Sequence, residues 1–249
     1  MVTQGPSRFV ILSNSRSGSN LLVSLLSSHG QVQCEGEVLN DFQAERIIWR
    51  DRRPTDPTDL ALRESDPIRF LETKVFAPES DDVRSCGFKI FYQHGQREAW
   101  QCVWPYLQGM PDLRVIHLVR EDQLARVLSN HVAQETKRWF IRDAAEAHHD
   151  LRVTLDVEAC RAEFERGAQW HQRRAALFAA HDVLPLTYEQ LADDMPDQCD
   201  RILRYLGVEL RPLSTPLVKQ LRQSPAETIA NYDELRAAFL GSPWEGLFR

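Results

Sequence analysis

Cysteine is sparse in this chain of 249 residues, and its five copies (Cys34, Cys86, Cys102, Cys160 and Cys199) form no C-x-x-C pair. An odd, scattered set argues against a disulfide framework or a thiolate zinc site and predicts reduced, mostly buried thiols. Positive charge is also in short supply. The 30 Lys and Arg stand against 36 Asp and Glu, a formal charge of -6, which argues against a nucleic-acid partner but leaves room for a local basic pocket around a small anion. No stretch approaches the roughly 18 consecutive apolar residues of a membrane span, and the first eight residues lack the apolar core of a signal peptide. The expectation is a cytoplasmic protein without a membrane span. Internal repeats and low-complexity tracts are missing too. With 43% apolar content the chain can bury one good core, so residues 1–249 are expected to form a single domain.

What the chain does have is concentrated near its start. Phe9, Val10, Ile11 and Leu12 run into Ser13-Asn14-Ser15-Arg16-Ser17-Gly18-Ser19-Asn20, after which Leu21, Leu22, Leu25 and Leu26 recur at helical spacing. That order predicts a strand, an anion-binding turn and a helix start. The first turn of a helix leaves backbone N–H groups unpaired at the positive end of its dipole; Gly18 lets an oxyanion approach the backbone, and Arg16 adds a charged fork. The turn lacks the Lys and hydroxyl of G-x-x-x-x-G-K-[ST] that would reach terminal phosphates and hold magnesium, which turns the reading away from a kinase. A group transferred without a metal fits better.

Further buried strands are expected at residues 87–91, 113–119 and 183–186, besides 9–12. Helical patterns cover 123–139 and 157–180, and a shorter helix runs from Pro196 to a stop at Gly207. Strands alternating with helices imply an α/β domain with a parallel sheet. Residues 51–67, rich in Pro and charge, read as a surface excursion with the makings of a lid.

The turn S-R-S-G-S-N-L-L resembles the 5′-phosphosulfate loop of sulfotransferases that use 3′-phosphoadenosine 5′-phosphosulfate (PAPS), where P-R-S-G-S-T-L-L is a common form. A second match lies at Val115-Ile116-His117-Leu118-Val119-Arg120 and the following stretch through Ser129, which is similar to the family's 3′-phosphate site. Gly87-Phe88-Lys89-Ile90, Trp139, Leu186 to Leu191, and Leu206-Gly207-Val208 resemble bacterial carbohydrate sulfotransferases of the nodulation-factor and trehalose-sulfating type. So does the tail, from Arg222-Gln223-Ser224-Pro225 to Gly241-Ser242-Pro243-Trp244.

The resemblance implies a P-loop-like three-layer α/β fold, with a central, mostly parallel sheet flanked by helices. It implies PAPS as donor, no metal, and a hydroxyl of a carbohydrate or other small molecule as acceptor. The implied donor contacts are Arg16, Ser17, Gly18, Ser19, Asn20 and Leu21 at the 5′ end and Arg120 with Ser129 at the 3′-phosphate. Arg222 lies in a segment that runs near the nucleotide in several relatives. Trp139 offers a flat face to adenine or a place in the core. Two positions depart from the pattern: Ser15 stands where relatives often have Pro, and Asn20 where they often have Thr. In trehalose-sulfating relatives a Glu soon after the loop's helix is the base; Glu37 is the favoured equivalent, Glu35 the second, and Asp41 the third.

Lys89, on a buried strand, is expected to emerge near the anion site or to pair with a carboxylate, and with Arg16 to offset charge on the leaving phosphate. His94 and His131 read as structural, Trp100 and Trp104 as core ahead of acceptor lining, and Arg126 as a solvated helix-face cation. A small-molecule kinase and a nucleotide-binding module without catalysis are the rivals. The state of assembly, a homo-oligomer included, is left open.

Overall fold

The computed structural model describes residues 5–50, 53–148 and 150–248. Five strands, β1 (Ser7–Ser13), β2 (Val32–Glu35), β3 (Ser85–Phe91), β4 (Arg114–Val119) and β5 (Val183–Thr187), form one parallel sheet in the order β2-β3-β1-β4-β5. Strands of a parallel sheet are covered on both faces and read as continuous apolar runs, which is why four of the five are visible in the sequence. β2 is the exception. Its Gln33 and Glu35 are polar yet buried, and Gln33 is satisfied by distant backbone: its amide donates to the carbonyls of Val75 (3.3 Å) and Ala77 (3.2 Å), and its Oε1 accepts from Glu79 (3.0 Å).

The helices are α1 (Ser19–Ser27), α2 (Pro57–Ser65), α3 (Pro67–Phe70), α4 (Val103–Gln108), α5 (Gln123–Thr136), α6 (Val157–Leu177), α7 (Tyr188–Asp193), α8 (Met195–Leu206), α9 (Pro225–Thr228) and α10 (Tyr232–Ala238). Alternation along β1 sends Phe9 and Ile11 to one face, against Leu22, Leu25 and Leu26 of α1 and Ile202, Leu203 and Leu206 of α8. Val10 and Leu12 go to the other face, with Phe70 of α3, Val103 and Leu107 of α4, and Phe178 just past α6. A third cluster joins α5 and α6 to the C-terminal segment through Leu128, Phe164, Leu235 and Phe239. Each such side chain contributes roughly 1.5–3 kcal/mol on burial. β3 lies so close to β1 that a Cβ on Gly87 would sit 2.3 Å from the Phe9 carbonyl oxygen.

Three expectations are corrected. The helix from Gln123 stops at Thr136, where Lys137 turns left-handed (φ 56°), so Trp139 belongs to the following loop. The long helix ends at Leu177, short of residue 180. Residues 51–67 are more than a loop: 51 and 52 lie outside the described residues, but α2 starts there on an Asp56 cap and buries Arg63. The Arg63 guanidinium donates to the carbonyls of Val38 (3.0 Å), Arg46 (2.9 Å) and Ala44, so it pins the segment that follows Glu37.

Strand order reverses at β1, between β3 on one side and β4 on the other. In open α/β sheets the crevice beyond the carboxyl ends at such a point takes the ligand. Here the turn from β1 to α1 fills it.

Candidate active site

The turn is shaped by two left-handed residues, Arg16 (φ 62°) and Gly18 (φ 83°). A Cβ on Gly18 would meet the Tyr188 ring at 2.5 Å, so both backbone conformation and space require glycine. A non-glycine residue held left-handed, as Arg16 is, stores strain of the kind that clusters at ligand clamps. The first helical hydrogen bond runs from the Leu22 amide to the Gly18 carbonyl (3.1 Å), and α1 has no side-chain cap. The amides of Ser19, Asn20 and Leu21 are therefore without an intrahelical acceptor, and these residues line the cavity above them. Ser17 is buried beneath the turn.

Two guanidinium groups converge behind the turn. Arg16 donates through Nε to the Ser129 hydroxyl (3.0 Å), and through its other nitrogens to the Trp139 carbonyl and to Gln220 Oε1 (3.1 Å). Burial first, and then neighbouring Arg120, push its pKa down to about 10, against the opposing pull of Glu37 and Tyr188. Arg120, at the end of β4, donates to the Arg16 carbonyl (3.3 Å) and lies 4.6 Å from the centre of the Tyr188 ring. Its buried Nε has no hydrogen-bond partner.

In front of the turn lies a buried ion pair. Lys89 of β3, only 2% exposed, places Nζ 2.9 Å from Glu37 Oε1 and donates to Asn20 Oδ1. Glu37 Oε2 accepts from Asn40 Nδ2 (2.7 Å) and stands 3.7 Å from His94 Nε2. Burial alone would raise the Glu37 pKa; the Lys89 ammonium, His94 and the hydrogen bonds from Lys89 and Asn40 outweigh it and hold the carboxyl below the usual carboxylate range. Burial lowers the His94 pKa to about 4 despite Glu37, so at neutral pH the ring is uncharged. Its Nδ1 accepts from the Phe91 amide (3.3 Å), which leaves the ring proton on Nε2, facing Glu37.

The other candidates are dispersed. Glu35 points away from the cavity, accepting from the Arg50 amide (3.3 Å) with Arg53 at 3.9 Å, and burial raises its pKa. Asp41 caps the amides of Gln96 (3.0 Å) and Arg97 (2.8 Å). Trp139 is 42% exposed on the cavity wall. Arg222 is exposed and lies off that wall, which the tail reaches through Leu217 to Leu221 instead. Arg126 is corrected outright: it is buried under α6, with Nε on Gln123 Oε1 (2.7 Å) and Glu163 at 3.7 Å. His131 pairs with Glu135 at 3.2 Å, while Trp100 and Trp104 are core. Gln220 and Tyr188 are the contributions the sequence reading missed, since nothing local marks them as neighbours of a turn so distant in the chain.

A second, half-buried polar group lies on β4. His117 of β4 bonds the Tyr92 hydroxyl (2.8 Å) and stacks on His171 at 4.8 Å; burial and then His171 lower its pKa to about 4. His94 and His117 thus both sit below the ordinary 6.5, so between those values the unfolded chain binds more protons than the folded one. Stability is expected to fall as pH drops through that window, read as a lower urea midpoint at about pH 5 than at about pH 7.

The turn, the arginine pair and Glu37 open into one cavity of about 1120 Å³, and Lys89 lies just beneath its wall, behind Asn20 and Glu37. Among the described residues no group of three or more His, Cys, Asp or Glu is poised to hold a metal ion, and no helix is long and apolar enough to cross a membrane. Fold and site together define an α/β protein whose β1–α1 turn, with its unpaired amides and two guanidinium groups, lines a cavity at the carboxyl ends of the strands. The chain belongs to the sulfotransferase family, whose model matches residues 7–212. It is similar over nearly its whole length to Nodulation protein H of Rhizobium meliloti (strain 1021), 26% identical across 99% of this chain and 96% of that one. The Rhizobium tropici Nodulation protein H is 27% identical across 98% and 93%. A solved sulfotransferase from Alicyclobacillus acidocaldarius shares the fold, with a TM-score of 0.50 and 16% identity over 95% of this chain and 92% of its own.

Proposed function

We propose that this chain transfers the sulfuryl group of PAPS to a hydroxyl of a carbohydrate or other small acceptor, with Glu37 as general base. The observation that carries the reading is the convergence of Arg16 and Arg120 on one turn. Like charges gathered in a half-buried place, one with an orphaned Nε, call for a ligand with several negative charges.

The free amides of α1, Arg16 and Lys89 suit the phosphosulfate end; Arg120 and Ser129 suit the 3′-phosphate. Ser129 accepts from Arg16 and still has its own proton to donate. Bound there, PAPS supplies the sulfuryl group and a phosphate leaving group. Glu37, ionised at neutral pH, takes the proton of the acceptor hydroxyl, and Arg16 with Lys89 offsets negative charge on the departing side. The cavity wall also includes Phe42, Thr55, Gln93 and Trp170, aromatic faces interleaved with hydrogen-bonding groups, which supports a small hydroxylated acceptor.

Calorimetry tests the donor class. Adenosine 3′,5′-bisphosphate is expected to bind without metal and ATP with magnesium to bind far more weakly; the reverse order would establish the kinase reading. Labelled PAPS offered with a panel of sugars and small alcohols then separates an enzyme from a module that only binds nucleotide.

A further inference from the structure

Asn20 stands in the first turn of α1, where an amide side chain is not explained by the helix. The helix has no side-chain cap, and Asn has no advantage as a helix former. Its Oδ1 is engaged elsewhere, on the ammonium of Lys89. Lys can only donate, so this contact fixes which way the amide faces: oxygen towards Lys89, NH2 away from it. Asn20 lines the cavity beside the unpaired amides of the turn, where that NH2 is available to an oxyanion.

We propose that Asn20 is a positioning residue that holds the Lys89 ammonium between the anion turn and Glu37, so that Lys89 serves the sulfuryl group as well as the carboxylate. The inference rests on the reading of the site as a sulfotransferase centre.

The charges around Lys89 show why a second anchor is needed. Its charged partner is Glu37, at 2.9 Å; His94 is neutral at working pH, and the Phe91 ring lies 5.1 Å away. With Glu37 alone, the ammonium would be drawn to the base and away from the turn. The difficulty grows during reaction, because a Glu37 that has taken a proton is neutral and loses its hold on the cation. Asn20 Oδ1 is uncharged and unaffected by that proton, so the ammonium stays facing the turn as negative charge builds there. A Thr at this position would present its hydroxyl one bond nearer the backbone than Oδ1. It keeps a donor for an oxyanion but stops short of the Lys89 ammonium.

The two tasks of Asn20 can therefore be separated without knowing the acceptor, by comparing PAPS, which carries the sulfuryl group, with adenosine 3′,5′-bisphosphate, which does not. Calorimetry on wild type, Asn20→Thr, Lys89→Met and the double variant of the full chain gives both affinities. Asn20→Thr is expected to bind the bisphosphate within about threefold of wild type and PAPS about tenfold more weakly, the loss of one hydrogen bond to a charged group. Lys89→Met is expected to lower PAPS affinity at least as much, and adding Asn20→Thr to it to cost nothing further, because neighbours acting through one contact are not additive. The same cycle on the ligand-free melting temperature reads the contact with no nucleotide present, and less than additive losses are expected. Undiminished PAPS affinity in Asn20→Thr, or losses that multiply in either cycle, would overturn the assignment. Wild-type protein that binds neither nucleotide would instead sink the sulfotransferase reading on which it rests.

Discussion

Turnover by a Glu37→Gln variant is expected to fall by about 10²-fold or more, while affinity for adenosine 3′,5′-bisphosphate stays nearly unchanged. The substitution keeps the shape of the side chain, and its amide oxygen can still accept from Lys89 or Asn40, so the surroundings persist. It cannot accept a proton. The pH profile carries a second signature. Because Lys89, His94 and Asn40 hold the Glu37 carboxyl below the usual carboxylate range, the base is ionised throughout neutral and mildly acidic conditions. Wild-type kcat/KM is thus expected to lose its base only as pH falls below that range, and the residual activity of the variant to lack this limb. The same sign applies to stability: a depressed carboxyl contributes above its unfolded pKa and loses that contribution as pH falls through the folded value. Labelled PAPS with an accepted hydroxyl compound measures the rate. Unchanged turnover would remove Glu37 from the mechanism, and neither rival carboxylate is well placed to succeed it. Glu35 faces Arg50 and Arg53, and Asp41 is occupied by two backbone amides.

The strands and the anion turn were legible in the sequence because their signal is local. A parallel strand buried on both faces is an apolar run, and a turn with Arg and Gly between strand and helix marks where the chain bends into the helix. β2 escaped because Gln33 and Glu35 look solvated until the distant segment that satisfies Gln33 is in place. Arg126 was misread for the same reason. Helical periodicity assigns it a face, yet only the packing of α6 over α5 shows that face to be covered. Within the site, the residue types at Arg16, Arg120, Ser129, Glu37 and Lys89 could be read from motifs and family resemblance. Their connections could not. The bond from Arg16 to Gln220 spans 204 positions, and the bond from Lys89 to Asn20 links a strand to a helix 69 positions earlier. Asn20 looked like a departure from a loop pattern; beside Lys89 it gains a physical role.

Removing the second guanidinium separates binding from folding. Arg120→Ala is expected to weaken bisphosphate binding by about 1.5–3 kcal/mol, the range for a hydrogen bond to a charged group. The group lost is well prepared for a phosphate: it stands at a strand end, is steadied over the Tyr188 ring, and keeps a buried Nε that no protein atom satisfies. That same arrangement sets the sign of the effect on the ligand-free protein. Arg120 is the second cause, after burial, of the lowered Arg16 pKa, so its removal relieves a repulsion between like charges at the cost of one long hydrogen bond to the Arg16 carbonyl and the contact with the Tyr188 ring. The melting temperature without ligand is expected to hold or rise while the stabilisation gained on adding bisphosphate shrinks. A residue serving only the fold would move both in the same direction. Arg120→Lys should fall between, because a point charge replaces part of the attraction but none of the planar fork. Equal bisphosphate affinity in Arg120→Ala would mean that the 3′-phosphate is held elsewhere on the cavity wall, and would remove Arg120 from the proposed 3′-phosphate site.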